Sequence, residues 1–498
     1  MQNLKDKFII SMKWNFMGTI ARMILQIGFT ILLTRMLSPS DFGLLAVSMT
    51  VIVIGNILSD FGLGSALIQK NHLISEDIRF VFTLQVILGV LFTFTIYLFS
   101  PWIATYFDSE KTEIVLQVLS SLFIIQSIGL TSISLLKKDL NFKKIQKIQI
   151  FSYISAYGLV GLPGAYLSYG VWSLVGAQIF QVLLRTILSL TAHPHTMKPL
   201  FNYAGRKYFL HFGTKNITNN ILSWIIDGVN SIFIGHFLGL TLLGYFNRSL
   251  TLAKMPMDMI TSTFQGILLP FYANIQHKKE YFKPVFLGSS TLMSLILFPI
   301  FLTVALIPET IILAMFGSKW TMSIDILTPI ALAMPINTLL ALGGPLLWAN
   351  NIGEREVKAQ LYSVILIVIV LFFLSQISLV IASWGVFISF LIRLFFINRE
   401  VLRYIESSLI DYLKSIVKPL FFGLIVALAV FSFDVLLSSL VLNSLIKLLL
   451  DILFASFIYI LLLYNFMTYL IDDHLLWLIE KNKQKCPPRI QKKLGIYS

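Results

Sequence analysis

Long apolar runs alternate with short polar connections along almost the whole chain. A bilayer core about 30 Å thick is crossed by about 20 residues of α-helix, so each run is a candidate membrane span. The pattern predicts about fourteen transmembrane helices, at approximately 14–34, 42–66, 80–100, 114–135, 147–168, 171–191, 217–238, 249–271, 286–307, 326–348, 360–381, 383–398, 418–438 and 446–469. The twelfth run is short and shares one apolar block with the eleventh, so twelve or thirteen spans are alternative interpretations.

The composition is that of a protein whose main solvent is the bilayer. Of 498 residues, 57% are hydrophobic and only 12% are charged, and the mean hydropathy is +0.83. Soluble domains carry about 25% charged residues. A soluble enzyme with a membrane anchor is therefore excluded. The N-terminus is basic and then apolar, but its apolar run is too long for a signal peptide, so we expect it to remain as the first span.

Lysine and arginine fall mainly on one side of this topology. With the N-terminus inside, about 31 basic residues lie in cytoplasmic segments or at the adjoining span ends, and basic loops are retained in the cytoplasm. We therefore expect both termini to be cytoplasmic. The net charge of +14 is then explained by the basic residues of the cytoplasmic segments. The sequence contains no basic domain that could bind nucleic acid. The only cysteine, Cys486, excludes an intrachain disulfide.

A weak internal repeat indicates two similar halves. The segment 34–48 resembles 235–249, so that Gly43 aligns with Gly244 in a repeat of about 200 residues. Leu37 and Ser48 align in the same way with Leu238 and Ser249. The predicted organisation is an N-terminal six-helix lobe (1–195), a cytoplasmic linker (196–216), a C-terminal six-helix lobe (217–400), two additional spans (401–470) and a basic cytoplasmic tail (471–498).

Charged residues inside apolar spans are the candidate functional residues, because each costs about 2.5–3.5 kcal/mol or more at the bilayer centre. Arg22 in the first span, with Arg248 and Lys254 in the eighth, would form an electropositive lining suited to a phosphate-bearing substrate. Asp227 in the seventh span and Asp258 in the eighth are candidate sites for a coupling cation.

A structural interpretation of the same charges stays open. Lys254 and Asp258, four residues apart, would neutralise each other. Arg22 would pair with Asp60 or Asp227, and Arg248 would extend to the membrane interface. Asp60 is interpreted as structural in either case.

No nucleotide-binding loop, hydrolase or metalloprotease motif occurs, so the sequence supports neither a catalytic residue nor a cofactor or metal site. The sequence His193-Pro-His195 resembles a fragment of a metal site, but two histidines in a basic loop are interpreted as structural.

The segments RMLSPSDFGLLA after the first span and DFGLGSALIQ from Asp60 resemble the opening of Wzx-like polysaccharide exporters, of the colanic-acid and teichuronic-acid type. Asp227 with the later IGHFLG, LGY and NRS segments resembles the second half of the same family. The resemblance implies the multidrug/oligosaccharidyl-lipid/polysaccharide superfamily, with two six-helix lobes around a central cavity. It also implies that basic residues on the first and eighth helices hold a diphosphate, and Arg22, Arg248 and Lys254 have comparable positions. No ion-coupling motif is evident, and His236 stands where relatives often have another basic or polar residue.

The span pattern predicts an all-α polytopic membrane protein. The resemblance implies that it flips undecaprenyl-diphosphate-linked oligosaccharides across the bacterial inner membrane by alternating access, for cell-surface polysaccharide synthesis. It would not be an enzyme. Expected partners are the lipid-linked substrate and membrane lipids, and a polysaccharide polymerase and glycosyltransferases are candidates. A cation-coupled multidrug exporter, a peptidoglycan-precursor flippase and a membrane polysaccharide polymerase are alternatives, the last disfavoured by the short outer loops.

Overall fold

The computed structural model describes residues 2–481 except 71, 351 and 441, and the regular structure within them is entirely helical. The predicted all-α class is thereby confirmed. The helices are α1 (Gln2–Met36), α2 (Pro39–Asp60), α3 (Leu63–Gln69), α4 (Ser75–Tyr106), α5 (Glu110–Lys138), α6 (Phe142–Ala156), α7 (Leu162–Tyr166), α8 (Val171–Ala192), α9 (Arg206–Phe237), α10 (Leu240–Asn274), α11 (Phe282–Leu306), α12 (Pro308–Met315), α13 (Met322–Leu340), α14 (Gly343–Ala349), α15 (Gly353–Leu374), α16 (Leu379–Tyr404), α17 (Leu409–Ser438), α18 (Ser444–Leu470) and α19 (Asp473–Lys481).

Each predicted apolar run overlaps one of these helices or a closely spaced pair. Among the described residues, eleven helical segments are long and apolar enough to cross a membrane. The run at 147–168 is one continuous helical path, because a π-helical turn at Tyr157–Gly161 joins α6 to α7. The chain is thus a multi-pass membrane protein, while the total of fourteen spans stays a prediction.

The break between the eleventh and twelfth runs lies earlier than the sequence predicts. α15 ends at Leu374, and Ser378 begins α16 by accepting a hydrogen bond from the backbone N–H of Ile381 at 3.3 Å. The resulting α16 has 26 residues, so the predicted short span at 383–398 is wrong. The error arises because Ile377 and Leu379 keep the segment apolar across a break that serine capping determines.

The chain divides into two compact units, Met1–Asn247 and Arg248–Ser498. In the first unit, α5 packs against α2, α4 and α8 around a core that includes Leu44, Phe123 and Val175. α9 packs against α2 and α3, so it belongs to this unit, whereas the sequence analysis begins the second lobe at 217. The lobe limits inferred from the sequence stay a prediction about the membrane topology.

The repeat-related loops meet within the first unit. A Cβ placed on Gly43 would lie 1.7 Å from the carbonyl oxygen of Leu240, and a Cβ on Gly244 would lie 1.8 Å from that of Pro39. Pro39 and Leu240 are themselves equivalent in the predicted repeat. The contact is therefore reciprocal, and the backbones of α2 and α10 touch where only glycine fits, as at small-residue crossings between membrane helices.

The linker after α8 is shorter than predicted and is tied to the first unit. α9 already begins at Arg206, and the preceding segment is held by a cluster of Lys70, Asp77 and Tyr203. The buried Asp77 carboxylate accepts from Lys70 Nζ at 2.6 and 2.7 Å and from the Tyr203 hydroxyl at 2.5 Å. Partial burial alone would lower the pKa of Lys70, but the hydrogen bond and charge of Asp77 raise it.

In the second unit, α11 is the most enclosed long helix, packed by α13, α17 and α19. α19 lies directly on it, since a Cβ on Gly288 would come within 2.9 Å of the carbonyl oxygen of His474. Thr291 adds a 2.8 Å hydrogen bond to Asp472, which also caps α19. The predicted tail at 471–498 thus begins with a docked helix, and its part from 482 onward lies outside the described residues.

Candidate functional site

Arg22 lies in the part of α1 that packs against α6. Its Nη1 donates a hydrogen bond to the side-chain oxygen of Gln149. One turn earlier, Gly18 lets the two helices approach, because a Cβ there would be 2.5 Å from Gln146. Gln146 in turn donates to the side chain of Asn15 at 2.8 Å. A row of amide contacts along this helix pair therefore holds the Arg22 guanidinium in place.

Arg185 on α8 is a second interior cation that the sequence analysis did not single out. Its positive charge lies close enough to Arg22 for the two to repel. Its Nε is buried and has no hydrogen-bond acceptor, and Gln149 lines the same small recess. Within the described part of the chain, neither arginine forms an ion pair with a carboxylate. Arg185 lies inside the sixth predicted span, and the rule applied to Arg22 would have found it.

Asp60 does not neutralise Arg22. Its carboxylate accepts hydrogen bonds from Gln85 at 3.2 Å and from the backbone N–H of Gly64 at 3.4 Å. Gln85 accepts from Thr131 at 2.7 Å, which completes a network between α2, α4 and α5. The predicted Arg22–Asp60 ion pair is thus wrong. Arg22 donates to a side-chain amide instead, and Asp60 accepts from a side-chain amide and a backbone N–H. The contacts of Asp60 are those of a structural residue.

Asp227 lies on an exposed part of α9. Trp224, one turn earlier, fixes that helix by donating to the carbonyl oxygen of Thr50 at 3.1 Å. Trp224 and Tyr106 also line an apolar cavity of about 290 Å³, which Asp227 does not line. His236 stacks on the Tyr106 ring with centroids 4.1 Å apart.

The other predicted site residues lie on α10 in the second unit. Arg248 and Lys254 are half-buried and Asp258 is exposed. None of these three, nor Asp227, is without an interaction partner. The predicted substrate-binding set therefore falls into two compact units, with Arg22 in the first. The proposed roles of all five residues stay predictions.

The second unit also holds a buried ionic cluster that the sequence analysis overlooked. Lys447 forms a 2.9 Å ion pair with Asp434 and also donates to Thr310 and Ser438. Asp451 is 1% exposed and lies close enough to Asp434 for the two carboxylates to form a buried acidic pair. Asp451 lies in the wall of an otherwise mainly apolar cavity of about 640 Å³. Asp434 and Asp451 both lie within predicted spans, so a charge inside a span is the sequence signal that could have identified them.

The histidine pair after α8 has structural contacts. His193 lies 3.1 Å from Asp139 and its carbonyl oxygen accepts from Ser132 at 2.9 Å. The His195 ring packs against Phe82, and partial burial lowers the pKa of His195. Within the part of the chain that the structure describes, no group of three or more histidine, cysteine or acidic side chains is placed to hold a metal ion.

The helical fold, with charged side chains inside its spans, is that of a multi-pass membrane protein. A solved structure titled lipid II flippase MurJ, inward closed conformation, has a TM-score of 0.73 at 15% identity and covers 93% of this chain and 99% of its own. That likeness establishes the fold.

The sequence matches the family described as polysaccharide biosynthesis protein over residues 32–325, and the chain belongs to that family. It is 26% identical over 445 residues to the teichuronic acid biosynthesis protein TuaB of Bacillus subtilis (strain 168), covering 88% of this chain and 91% of TuaB. It is 23% identical over 358 residues to the lipopolysaccharide biosynthesis protein WzxC of Escherichia coli (strain K12), covering 69% and 70%. The resemblance to Wzx-like exporters is thus confirmed, and the family indicates a transporter rather than an enzyme.

Proposed function

We propose that the chain moves a lipid-linked oligosaccharide, attached through phosphate, across the membrane for the synthesis of a cell-surface polysaccharide. The observation that carries the proposal is the pair of interior arginines, Arg22 and Arg185, for which no carboxylate partner exists among the described residues. Two guanidinium groups that lie close together inside the membrane repel each other, and this repulsion destabilises the folded protein. A phosphate or diphosphate group would relieve that repulsion, because it accepts bidentate hydrogen bonds from arginine.

The surroundings of the arginines suit a reversible site. Gln149 supplies a neutral acceptor to Arg22, so the guanidinium is positioned without its charge being cancelled. A carboxylate in the same place would compete with the substrate phosphate. Alternating access would then carry the headgroup between the two sides, because a hydrated, charged group cannot cross hydrocarbon without partners.

Arg248 and Lys254 are proposed as further contacts of the substrate, and Asp227 or Asp258 as the site of a coupling cation. The family membership and the names of TuaB and WzxC support a polysaccharide-pathway substrate. We further propose the bacterial inner membrane with both termini in the cytoplasm, as the distribution of basic residues favours. A polymerase and glycosyltransferases are proposed partners.

The test is deletion of the gene in its host, with surface polysaccharide and lipid-linked oligosaccharides measured by mass spectrometry. We expect complete single repeat units to accumulate while the surface polymer disappears. Normal glycan with increased sensitivity to cationic drugs would overturn the proposal in favour of a multidrug exporter. Accumulation of peptidoglycan precursor with loss of viability would overturn it in favour of a precursor flippase.

Site variants separate the arginine site from general disruption. Arg22→Gln and Arg185→Gln should each reproduce the deletion phenotype while the protein stays in the membrane at normal abundance. Arg206→Gln, on an exposed side chain at the start of α9, removes the same charge outside the site and should export normally. Wild-type export by both site variants would refute the arginine site, whatever the deletion shows.

A further inference from the structure

A basic cavity lies between α15 and α16. It has a volume of about 560 Å³ and opens where α15 begins and α16 ends. Four basic side chains and one acid line it, together with Ala359, Tyr362 and Phe396; the charged residues are Arg355, Lys358, Arg399, Arg403 and Glu400.

The basic side chains of this cavity carry more positive charge than the protein neutralises. Arg355 and Lys358 are three residues apart on α15, and Arg399 and Arg403 are four apart on α16, which are spacings at which like charges repel. Within the described ranges, none of the four side chains takes part in a hydrogen bond or an ion pair. Glu400 supplies one negative charge against four positive ones. The arrangement is therefore suited to an anion that the protein itself does not supply.

Nearby acids do not fill this role. Glu356, on the same helix, accepts from the Trp348 indole at 2.7 Å and from Gln360 at 3.0 Å, and it does not line the cavity. The charge of Arg393 acts on Glu356 as well.

The walls of the cavity identify the kind of anion. Tyr362 and Phe396 stack with ring centroids 6.1 Å apart, in the manner of aromatic residues at the boundary between headgroups and hydrocarbon. The turns of α15 that follow Tyr362 expose apolar side chains on the same face: Ile365 is 52% exposed and Ile369 49%. On α16, Phe395 beside Phe396 is 59% exposed. A basic recess that continues into an exposed apolar helix face matches a phosphate headgroup followed by acyl chains, whereas a free ion would need no such face.

We propose that this cavity binds the phosphate headgroup of an anionic glycerophospholipid, with the acyl chains lying along the exposed faces of α15 and α16. The distribution of basic residues assigns this end of the helices to the cytoplasmic side, where anionic lipids attract clusters of lysine and arginine. Neither Arg22 nor Arg185 lines this cavity, and its occupancy does not depend on which substrate is transported.

The experiment is native mass spectrometry of the purified full-length protein in a neutral detergent, titrated with phosphatidylglycerol. We expect phosphatidylglycerol to bind at least tenfold more tightly than phosphatidylcholine with the same acyl chains. Each basic residue near an anionic headgroup contributes about a factor of five. The double variant Arg399→Gln, Arg403→Gln should therefore weaken phosphatidylglycerol binding by roughly 30-fold, and the exposed Lys358→Gln by about fivefold.

The matched control is Arg206→Gln with Lys207→Gln, which removes two exposed charges at the start of α9. It should change binding by less than twofold. An equal loss in both double variants would overturn the proposal, because it would show attraction to net charge alone. Equal binding of phosphatidylcholine, or displacement of the lipid by millimolar inorganic phosphate, would also overturn it, the latter in favour of a free-phosphate site. Lys358→Gln keeps the test decisive if the double variant fails to fold.

Discussion

Gly43→Ala would place a methyl group against the backbone of a neighbouring helix. The new methyl group would lie 1.7 Å from the carbonyl oxygen of Leu240, whereas real Cβ contacts essentially never fall below 3.0 Å. The backbones of α2 and α10 must therefore separate by about 1.3 Å at this point. The clash cannot be relieved by rotating a side chain. The methyl carbon is fixed to the backbone of α2, and the carbonyl oxygen is part of the backbone of α10.

The expected cost follows from two opposing effects. Replacing glycine by alanine within a helix gains about 1 kcal/mol of propensity. Overpacking at a rigid contact costs about 1–3 kcal/mol, and more where backbone must move. We expect a net loss of about 2 kcal/mol, which lowers the unfolding temperature by roughly 4–8 °C for a unit of this size. Gly244→Ala should behave alike, since its Cβ would meet the carbonyl oxygen of Pro39 at 1.8 Å.

The double variant tests the reciprocity of the contact. Once one methyl group has separated the helices, the second finds the space already open, so the combined loss should fall short of the sum by about 1 kcal/mol. The assay is thermal unfolding of the full-length protein in one detergent. Gly28→Ala on α1 is the control, because its Cβ meets nothing within 4 Å. A wild-type melting temperature for Gly43→Ala, or strict additivity in the double variant, would refute the reasoning.

Three further predictions concern the charged groups. Lys447→Met leaves a buried acidic pair without its cation and should cost about 3–5 kcal/mol of stability, measured by thermal unfolding; if added Asp434→Asn recovers none of the loss, the ion pair is not its cause. Gln149→Glu places a carboxylate beside the interior arginines, so export of the lipid-linked oligosaccharide should fall at least tenfold at unchanged protein abundance; normal export would contradict a phosphate site there. Asp77→Asn loosens the linker after α8, so chymotrypsin should cleave after the exposed Phe201 faster than in the wild type; equal cleavage rates would show that the cluster does not hold the linker.

The sequence predicted the helical class and the approximate spans because hydrophobic length is set by the bilayer itself. It placed the break before α16 wrongly because that break depends on the hydrogen bond of one serine, Ser378, within an apolar block. Arg22 was found as a charge inside a span. Arg185 is equally a charge inside a predicted span, but it lies nearer the end of that span, where basic residues are typical of a cytoplasmic boundary. Only the structure places it in one recess with Gln149.

Other features of the candidate site depend on contacts between distant parts of the chain. Gln149 is 127 residues from Arg22, and nothing in the local pattern marks it as the acceptor for that guanidinium. The basic cavity combines the start of α15 with the end of α16, and the sequence pattern uses the basic residues there only as topology signals. The periodicity of a helix shows which residues share its face, but which face meets which neighbour is decided by packing.

The reciprocal glycine contact also bears on how the chain arose. In a half-length ancestor with one copy of the repeat, a single glycine would have stood in both places, and the contact would have joined two identical subunits, since in a two-fold interface residue i meets j and j meets i. Duplication of such an ancestor would turn that one residue into Gly43 and Gly244, which mutate independently but face each other's backbone. A descendant that lost either glycine would have had to move both helices, so the two positions are expected to change together or not at all.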